Sequence, residues 1–70
     1  MKILSGFGDK LRELRKKRGL SQEELADEAG LHRTYIGGVE RGERNPTLTT
    51  LKRLADALHL RIDELLKDIS

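Results

Sequence analysis

The chain has 70 residues and a mass of 7.9 kDa, the size of one small domain. Hydrophobic residues make up 36% and charged residues 37% of it, and the absence of cysteine excludes disulfides, thiolate metal sites and cysteine nucleophiles. Its apolar runs are short, so the sequence predicts neither a membrane span nor a signal peptide, and we expect a cytoplasmic protein.

The composition predicts an all-α protein with an uneven surface charge. Leu supplies most of the apolar set, whereas the β-branched and aromatic residues that favour sheets are scarce, with one Phe, one Tyr and no Trp. The net charge is only +2, but residues 10–18 are rich in Lys and Arg and residues 23–28 in Asp and Glu. The basic stretch is either a solvated helix face that complements the helix dipole or a surface that faces nucleic acid.

The first predicted helix carries one apolar stripe and ends at a glycine. Phe7, Leu11 and Leu14 lie at i, i+4 and i+7, which is the spacing of one helix face. Gly19 is placed to stop this helix, and Leu20 follows it as an apolar anchor.

Two short helices are predicted next. Ser21 and Glu24 form an S-x-x-E capping box, which satisfies backbone amides at the start of the second helix. The third helix begins near His32 or Arg33 and ends at Gly42. The residues expected to face inward from the two helices are Leu25, Ala26, Ala29, Ile36 and Val39.

The last two helices complete a prediction of five. Thr47 is the expected N-cap of the fourth helix, which should bury Leu48, Leu51, Leu54, Ala55 and Leu58. The final helix, over about residues 62–69, offers more apolar surface than a small core can hide, so we expect it to form an isologous dimer interface. The residues predicted for this interface are Leu60, Ile62, Leu65, Leu66 and Ile69.

Residues 22–41 have the pattern of a helix-turn-helix within a single domain over residues 1–70. Gly30 permits a turn too sharp for a residue with a Cβ. The small Ala26 lies where two steeply crossed helices would touch. The apolar residues expected to fix the pair to the core are Leu25, Leu31, Ile36 and Val39.

From about Gly8 to Leu66 the chain resembles the lambda-repressor-like, or Cro/XRE-type, family of DNA-binding regulators. The matching motifs are Leu14-Arg15, Ser21-Gln22-Glu23-Glu24-Leu25-Ala26, Gly30-Leu31, Ile36, Glu40-Arg41-Gly42 and Pro46-Thr47-Leu48. The segment Arg33-Thr34-Tyr35-Ile36, with Arg44-Asn45, is most similar to restriction–modification controller proteins. The resemblance implies a compact five-helix DNA-binding domain.

The resemblance assigns the start of the third helix to base edges in the major groove. Arg33 would make a bidentate hydrogen bond with guanine, worth ~1–3 kcal/mol of discrimination against other bases. Thr34 would hydrogen-bond a base or offer its methyl group to thymine. Gly38 completes the base-reading set. The positions matched to contacts with the DNA backbone are Gln22, Tyr35, Gly37, Arg41, Arg44, Asn45 and Thr47.

These residues also have plainer interpretations. Arg33 and Thr34 would be solvent-facing residues of a first helical turn if the motif around them were ignored. Tyr35 would then be packing surface, and Arg44 and Asn45 would be ordinary loop residues.

Two further features of the third helix follow from its composition and from the resemblance. Gly37 and Gly38 each cost ~1 kcal/mol relative to Ala in a helix, which predicts that this helix closely approaches another surface. The family more often has Ser at the position of Gly37. Arg15 and Glu40 match family positions that form a partly buried ion pair, which would orient the third helix. A contact of Glu40 with RNA polymerase is the second interpretation of that residue.

The sequence predicts no catalytic or metal site. His32 and His59 lie on different elements and lack a ligand set at metal spacing, and Ser21 is occupied by capping. His32 and Arg61 stand where the family usually has better helix caps, so they weaken two helix boundaries without changing the core pattern. We therefore expect no enzyme activity, cofactor or small-molecule ligand.

The predicted function is sequence-specific regulation of transcription by a homodimer bound to a pseudo-palindromic operator on duplex DNA. Its half-sites would lie about one helical turn, ~34 Å, apart. A role as a restriction–modification controller acting on its own promoter fits this prediction, with RNA polymerase as a further partner. The alternative is an antitoxin or adaptor of the same fold, whose last helix binds a different protein.

Overall fold

A computed structural model describes residues 2–69, in which every regular element is a helix, as the composition predicts. The helices enclose one apolar core, to which each of them contributes. Their bounds are α1 Lys2–Lys17, α2 Gln22–Ala29, α3 Arg33–Glu40, α4 Leu48–Ala57 and α5 Ile62–Leu66. Among the described residues no helix has the length and apolar character needed to cross a membrane.

Helix α1 crosses α3 at very short range. Phe7 and Leu11 are buried, which confirms the predicted stripe, and the helix extends back to Lys2. A Cβ on Gly8 would lie only 2.4 Å from the carbonyl oxygen of Glu40, closer than real Cβ contacts. Glycine at this position therefore lets the two helix backbones touch, and the contact fixes the end of α3.

Helices α2 and α3 form the predicted helix-turn-helix. The capping box is present, with the Glu24 backbone N–H donating to Ser21 Oγ at 3.0 Å and the Ser21 N–H donating to Glu24 Oε1 at 2.8 Å. These hydrogen bonds with Ser21 lower the pKa of Glu24. Gly30 takes the left-handed conformation, with φ at 70°. His32 stands at the N-cap of α3 without a side-chain capping bond, as predicted.

The predicted helix α4 and its cap are confirmed, but two of the residues expected to be buried are not, since Leu48 is exposed and Leu51 is half-buried. Thr47 caps the helix by accepting a 3.2 Å hydrogen bond from the Thr50 N–H, and Leu54 and Ala55 are fully buried. Leu48 is 72% exposed, so its predicted burial is wrong. It belongs to the first turn, whereas burial along this helix is complete only from Leu54 onward.

The final helix is shorter than predicted. It ends at Leu66, because Lys67 has extended backbone angles and Asp68 takes a positive φ of 63°, so residues 67–69 are not helical. A helix of five residues has few internal hydrogen bonds and depends on tertiary packing. Leu65 supplies that packing, since it is completely buried in the core.

Candidate nucleic-acid interface

An open groove of about 510 Å³ lies where the start of α2 meets the outer face of α3. It brings together five of the residues that the sequence assigned to DNA contact, Gln22, Arg33, Thr34, Gly37 and Arg41. We call this surface the recognition groove. Its full lining is Arg15, Ser21, Gln22, Glu23, Arg33, Thr34, Gly37 and Arg41.

Beneath the recognition groove lies the predicted ion pair. Arg15 Nε donates to Glu40 Oε2 at 2.6 Å and Arg15 Nη2 donates to Glu40 Oε1 at 3.0 Å, while Nη1 donates to the carbonyl of Leu20 at 2.8 Å. The Glu40 side chain is 0% exposed, so it offers nothing to RNA polymerase, and that interpretation of Glu40 is wrong. The pair instead joins α1 to the end of α3.

The same carboxylate also holds the start of α2. Gln22 Nε2 donates to Glu40 Oε1 at 3.0 Å, and Arg12 Nε lies 3.5 Å from that oxygen. Burial alone would raise the pKa of Glu40, but the hydrogen bonds from Arg15 and Gln22 outweigh it and lower that pKa. Glu40 thus connects α1, α2 and α3 through charge-assisted hydrogen bonds. Sequence analysis missed Arg12, although it lies three residues before Arg15 on the same face of α1.

The residues predicted to read bases are exposed at the start of α3. The Arg33 side chain is 69% exposed and Thr34 is also open to solvent. Arg33 Nη1 donates to Glu23 Oε2 at 3.0 Å. Sequence analysis missed this role of Glu23. The signal available was its position one residue after Gln22, in the first turn of the helix that faces α3.

The paired glycines of α3 lie under side chains of the chain itself. A Cβ on Gly37 would lie 3.1 Å from Arg41 Nη1, and one on Gly38 would lie 2.8 Å from Arg44 Cγ. These contacts come from side chains of the same chain, and the predicted close approach of α3 to another surface stays a prediction. Gly38 is buried beneath the side chain of Arg44, and its assignment to base reading stays a prediction. Gly37, although buried, still lines the recognition groove.

The residues that flank α3 separate into two groups. The Arg44 guanidinium lies 6.0 Å from the centre of the Tyr35 ring, and Arg41 Nε lies 3.1 Å from Glu43 Oε1. The guanidinium groups of Arg41 and Arg44 therefore form one group, which lies beside α3. Asn45 lines a different groove, and Thr47 is occupied by capping α4. The phosphate contacts assigned to these residues stay predictions.

The second groove is apolar and holds about 320 Å³. Leu66 and Ile69 from the predicted dimer surface line it, and Ile3 beside them is 48% exposed. Leu65 is 0% exposed within its own chain, so its assignment to the interface is wrong; it faces inward to anchor α5. The full lining of this apolar groove is Ile3, Leu4, Phe7, Asn45, Pro46, Leu51, Leu66 and Ile69.

Within residues 2–69 no cluster of three or more His, Cys, Asp or Glu side chains is arranged to hold a metal ion. The surface that gathers the polar side chains is the recognition groove. It combines the amino end of α2, which favours anions, with the exposed arginine that begins α3. This arrangement is suited to a polyanion that presents hydrogen-bonding edges.

Comparisons with known proteins agree with this geometry. A helix-turn-helix family model matches residues 11–65. Control protein C.SmaI of Serratia marcescens is 52% identical over 66 residues, which are 94% of this chain and 79% of that protein. Control protein C.BamHI of Bacillus amyloliquefaciens is 46% identical over 61 residues, 86% of this chain and 75% of that protein. The restriction–modification controller protein C.AhdI from Aeromonas hydrophila superposes with a TM-score of 0.87 and 55% identity, over 89% of this chain and 94% of that one.

Proposed function

Because the chain belongs to the helix-turn-helix family of DNA-binding transcriptional regulators, and within it to the restriction–modification controller proteins, we propose that it binds a pseudo-palindromic operator as a homodimer. The operator would lie in its own promoter. A regulator of this kind meets its DNA in the cytoplasm, where we place it.

The observation that carries this proposal is the recognition groove. An α-helix with its side chains is about 10–12 Å across, which fits a major groove about 12 Å wide, and α3 has eight residues to place there. Its amino end presents Arg33 and Thr34, the positions expected to meet base edges. The adjacent start of α2 presents Gln22, which would hold a phosphate at the helix N-terminus. Base reading and phosphate binding would then occur on one continuous surface.

The ion pair below the groove supports the same proposal. Arg15 and Glu40 bind α3 to α1, and Gln22 joins the start of α2 to the same carboxylate. A base-reading side chain discriminates only if its helix is held at a defined angle and depth. In our proposal Glu40 positions the helix, Arg33 and Thr34 read bases, and Gln22, Tyr35, Arg41 and Arg44 contact the backbone.

The apolar groove supports the homodimer. Leu66 and Ile69 line this groove, while Leu60 and Ile62 are half-buried beside the core. A two-fold axis through this region would bury the same patch on both subunits and close the assembly at two copies. Two recognition helices would then meet half-sites ~34 Å apart on one face of the duplex. If RNA polymerase is also a partner, its contact must use residues other than the buried Glu40.

Selection from a random duplex library at two salt concentrations tests the proposal. A dimer should select a pseudo-palindrome, and eight phosphate contacts per dimer would give a log–log salt slope of about −7. Arg33→Ala should relax sequence preference at one base pair per half-site, whereas Gln22→Ala should weaken binding to every sequence, with a smaller loss of selectivity because Arg15 still holds Glu40. Equal loss of selectivity in both variants would contradict these roles. Sedimentation that shows only monomer at tens of micromolar would end the homodimer proposal.

The apolar groove also favours a second candidate function, that of an antitoxin or adaptor of the same fold. An amphipathic helix from a different protein would bury its apolar face against Ile3, Pro46 and Leu51. In that case the chain would sediment as a monomer by itself and as a stoichiometric complex with its partner.

A further inference from the structure

A carboxylate stands in the middle of the surface proposed to bind DNA phosphates. Glu23 lines the recognition groove in the first turn of α2, and its side chain is 63% exposed. Its neighbours have structural tasks, since Gln22 donates to Glu40 and Glu24 completes the capping box with Ser21. Glu23 instead accepts a 3.0 Å hydrogen bond from Arg33, the expected base reader.

Stability does not explain this ion pair. Both partners are well exposed, and water screens such pairs so strongly that they add little to folding. For DNA binding, the carboxylate is a direct cost, because it brings a negative charge to a helix N-terminus that would otherwise attract phosphate. A residue that weakens binding in general is useful when it weakens binding to wrong sequences more than to the right one.

We propose that Glu23 is a specificity-determining residue that restrains Arg33 and penalises binding to non-operator DNA. The inference rests on the proposed function. A guanidinium carries five N–H donors, so Arg33 can keep its bond to Glu23 through Nη1 and still offer other N–H groups to a guanine. On operator DNA both interactions are satisfied at once, and the benefit of holding Arg33 in place for the guanine offsets the repulsion between the carboxylate and nearby phosphates.

On other DNA the same pair acts against binding. Without a guanine in reach, Arg33 stays neutralised by Glu23 and gives little attraction to the backbone, while the carboxylate repels nearby phosphates. One unit charge ~7 Å from a phosphate in water changes affinity about three-fold, so two copies in a dimer would change it about nine-fold. We therefore expect Glu23 to increase the ratio of operator to non-operator affinity.

The chain contains a matched control. Arg41 and Glu43 form a second exposed pair, with Nε and Oε1 3.1 Å apart and side chains 57% and 61% exposed. This pair lies beside α3 as well, but Arg41 is expected to contact phosphate and not a base. Glu43→Gln thus removes the same charge from the same face without touching the base reader.

The test titrates wild type, Glu23→Gln, Glu43→Gln, Arg33→Ala and the Glu23→Gln/Arg33→Ala double variant against three duplexes. These are the selected operator, the operator changed at the base pair that Arg33→Ala identifies, and a scrambled sequence of the same length. Glu23→Gln should bind scrambled DNA about nine-fold more tightly with little gain on the operator, so the affinity ratio falls about nine-fold. Glu43→Gln should strengthen binding to all three duplexes alike. With Arg33 already replaced, Glu23→Gln should no longer change the preference at the identified base pair.

Equal gains for Glu23→Gln on all three duplexes would overturn the inference, since the carboxylate would then act only as bulk charge. The inference would also be overturned if Glu23→Gln weakened operator binding and still did so when Arg33 had been replaced by Ala. Glu23 would then read a base itself. A wild-type protein that selects no sequence would overturn the proposed function and this inference with it. Circular dichroism and thermal unfolding of each variant check that the substitutions leave the fold intact.

Discussion

The recognition groove and the apolar groove are built on opposite principles. Under the recognition groove lies a buried charge, Glu40, held by Arg15 and Gln22 from two other helices. The apolar groove lies between the start of α1, the loop before α4, and α4 and α5, and the shortest helix of the described residues borders it. The two surfaces are therefore held by different interactions. Directional hydrogen bonds hold the surface that must present side chains at defined positions. Non-directional packing suffices for the surface where we propose that a second copy docks.

The largest expected effect comes from breaking the buried pair on one side only. Arg15→Ala leaves Glu40 buried without its main partner and should lower the free energy of unfolding by about 3–5 kcal/mol. Urea denaturation followed by circular dichroism measures the loss.

The control for this variant replaces both partners. Arg15→Met/Glu40→Leu substitutes apolar groups of similar volume, so its stability should stay near that of wild type. Its selectivity for the operator should nevertheless fall, because apolar packing does not fix the angle of α3 as the directional hydrogen bonds from Arg15 and Gln22 do. Stability and selectivity that decline together in the double variant would show that the pair serves folding alone.

The second prediction distinguishes core from surface in the apolar region. Leu65→Ala should cost about 2–5 kcal/mol, because it removes a fully buried side chain and leaves a cavity. Leu48→Ala should change stability by less than about 0.5 kcal/mol, because that side chain is 72% exposed. Thermal unfolding at a concentration where the protein is monomeric measures both without a contribution from association. A large loss for Leu48→Ala would mean that α4 packs differently from the structure described here.

The spacing of apolar residues, together with helix caps and turn glycines, predicted most of the fold. The capping box at Ser21 and Glu24, the turn at Gly30 and the cap at Thr47 are local features, and each was confirmed. Two predictions failed where apolar spacing was the only guide. Leu48 has the correct spacing for the buried face but lies in the first turn, before the buried part of that face. Helix α5 ends early because Lys67 and Asp68 leave helical geometry, which apolar spacing does not report.

The site was predicted less completely than the fold. The Arg15–Glu40 pair came from resemblance to a family and was confirmed, whereas Arg12 and Glu23 were missed. Pairing across helices depends on how the helices cross, and a one-dimensional pattern does not give that angle. The burial of Gly38 illustrates the same limit, since it depends on where the Arg44 side chain folds back.

Low pH should also weaken the Glu40 ion pair beneath the recognition groove, with a smaller effect on stability than Arg15→Ala. Hydrogen bonds lower the pKa of Glu40 in the folded chain despite its burial, so the unfolded chain binds a proton first as the pH falls. The contribution of this group to stability is therefore complete above the ordinary glutamate value of about 4.3 and is lost as the pH falls below it. Urea midpoints measured between neutral pH and pH 3 should decline more steeply for wild type than for Arg15→Met/Glu40→Leu. Parallel curves would mean that other carboxylates dominate the acid response.

The smallest effects should come from the two helix caps, one on each side of the molecule. Ser21→Ala and Thr47→Ala each remove a side-chain oxygen that accepts a backbone N–H, and each should cost about 1 kcal/mol. Their effects on DNA should differ, because Ser21 lines the recognition groove and fixes the amino end of α2, whereas Thr47 caps α4 outside it. Operator affinity measured well below the unfolding temperature should fall more for Ser21→Ala, which disturbs the groove, than for Thr47→Ala, which would lose only the one phosphate contact predicted for Thr47. Equal losses of affinity at equal losses of stability would mean that DNA binding senses the whole fold and not the local geometry of the groove.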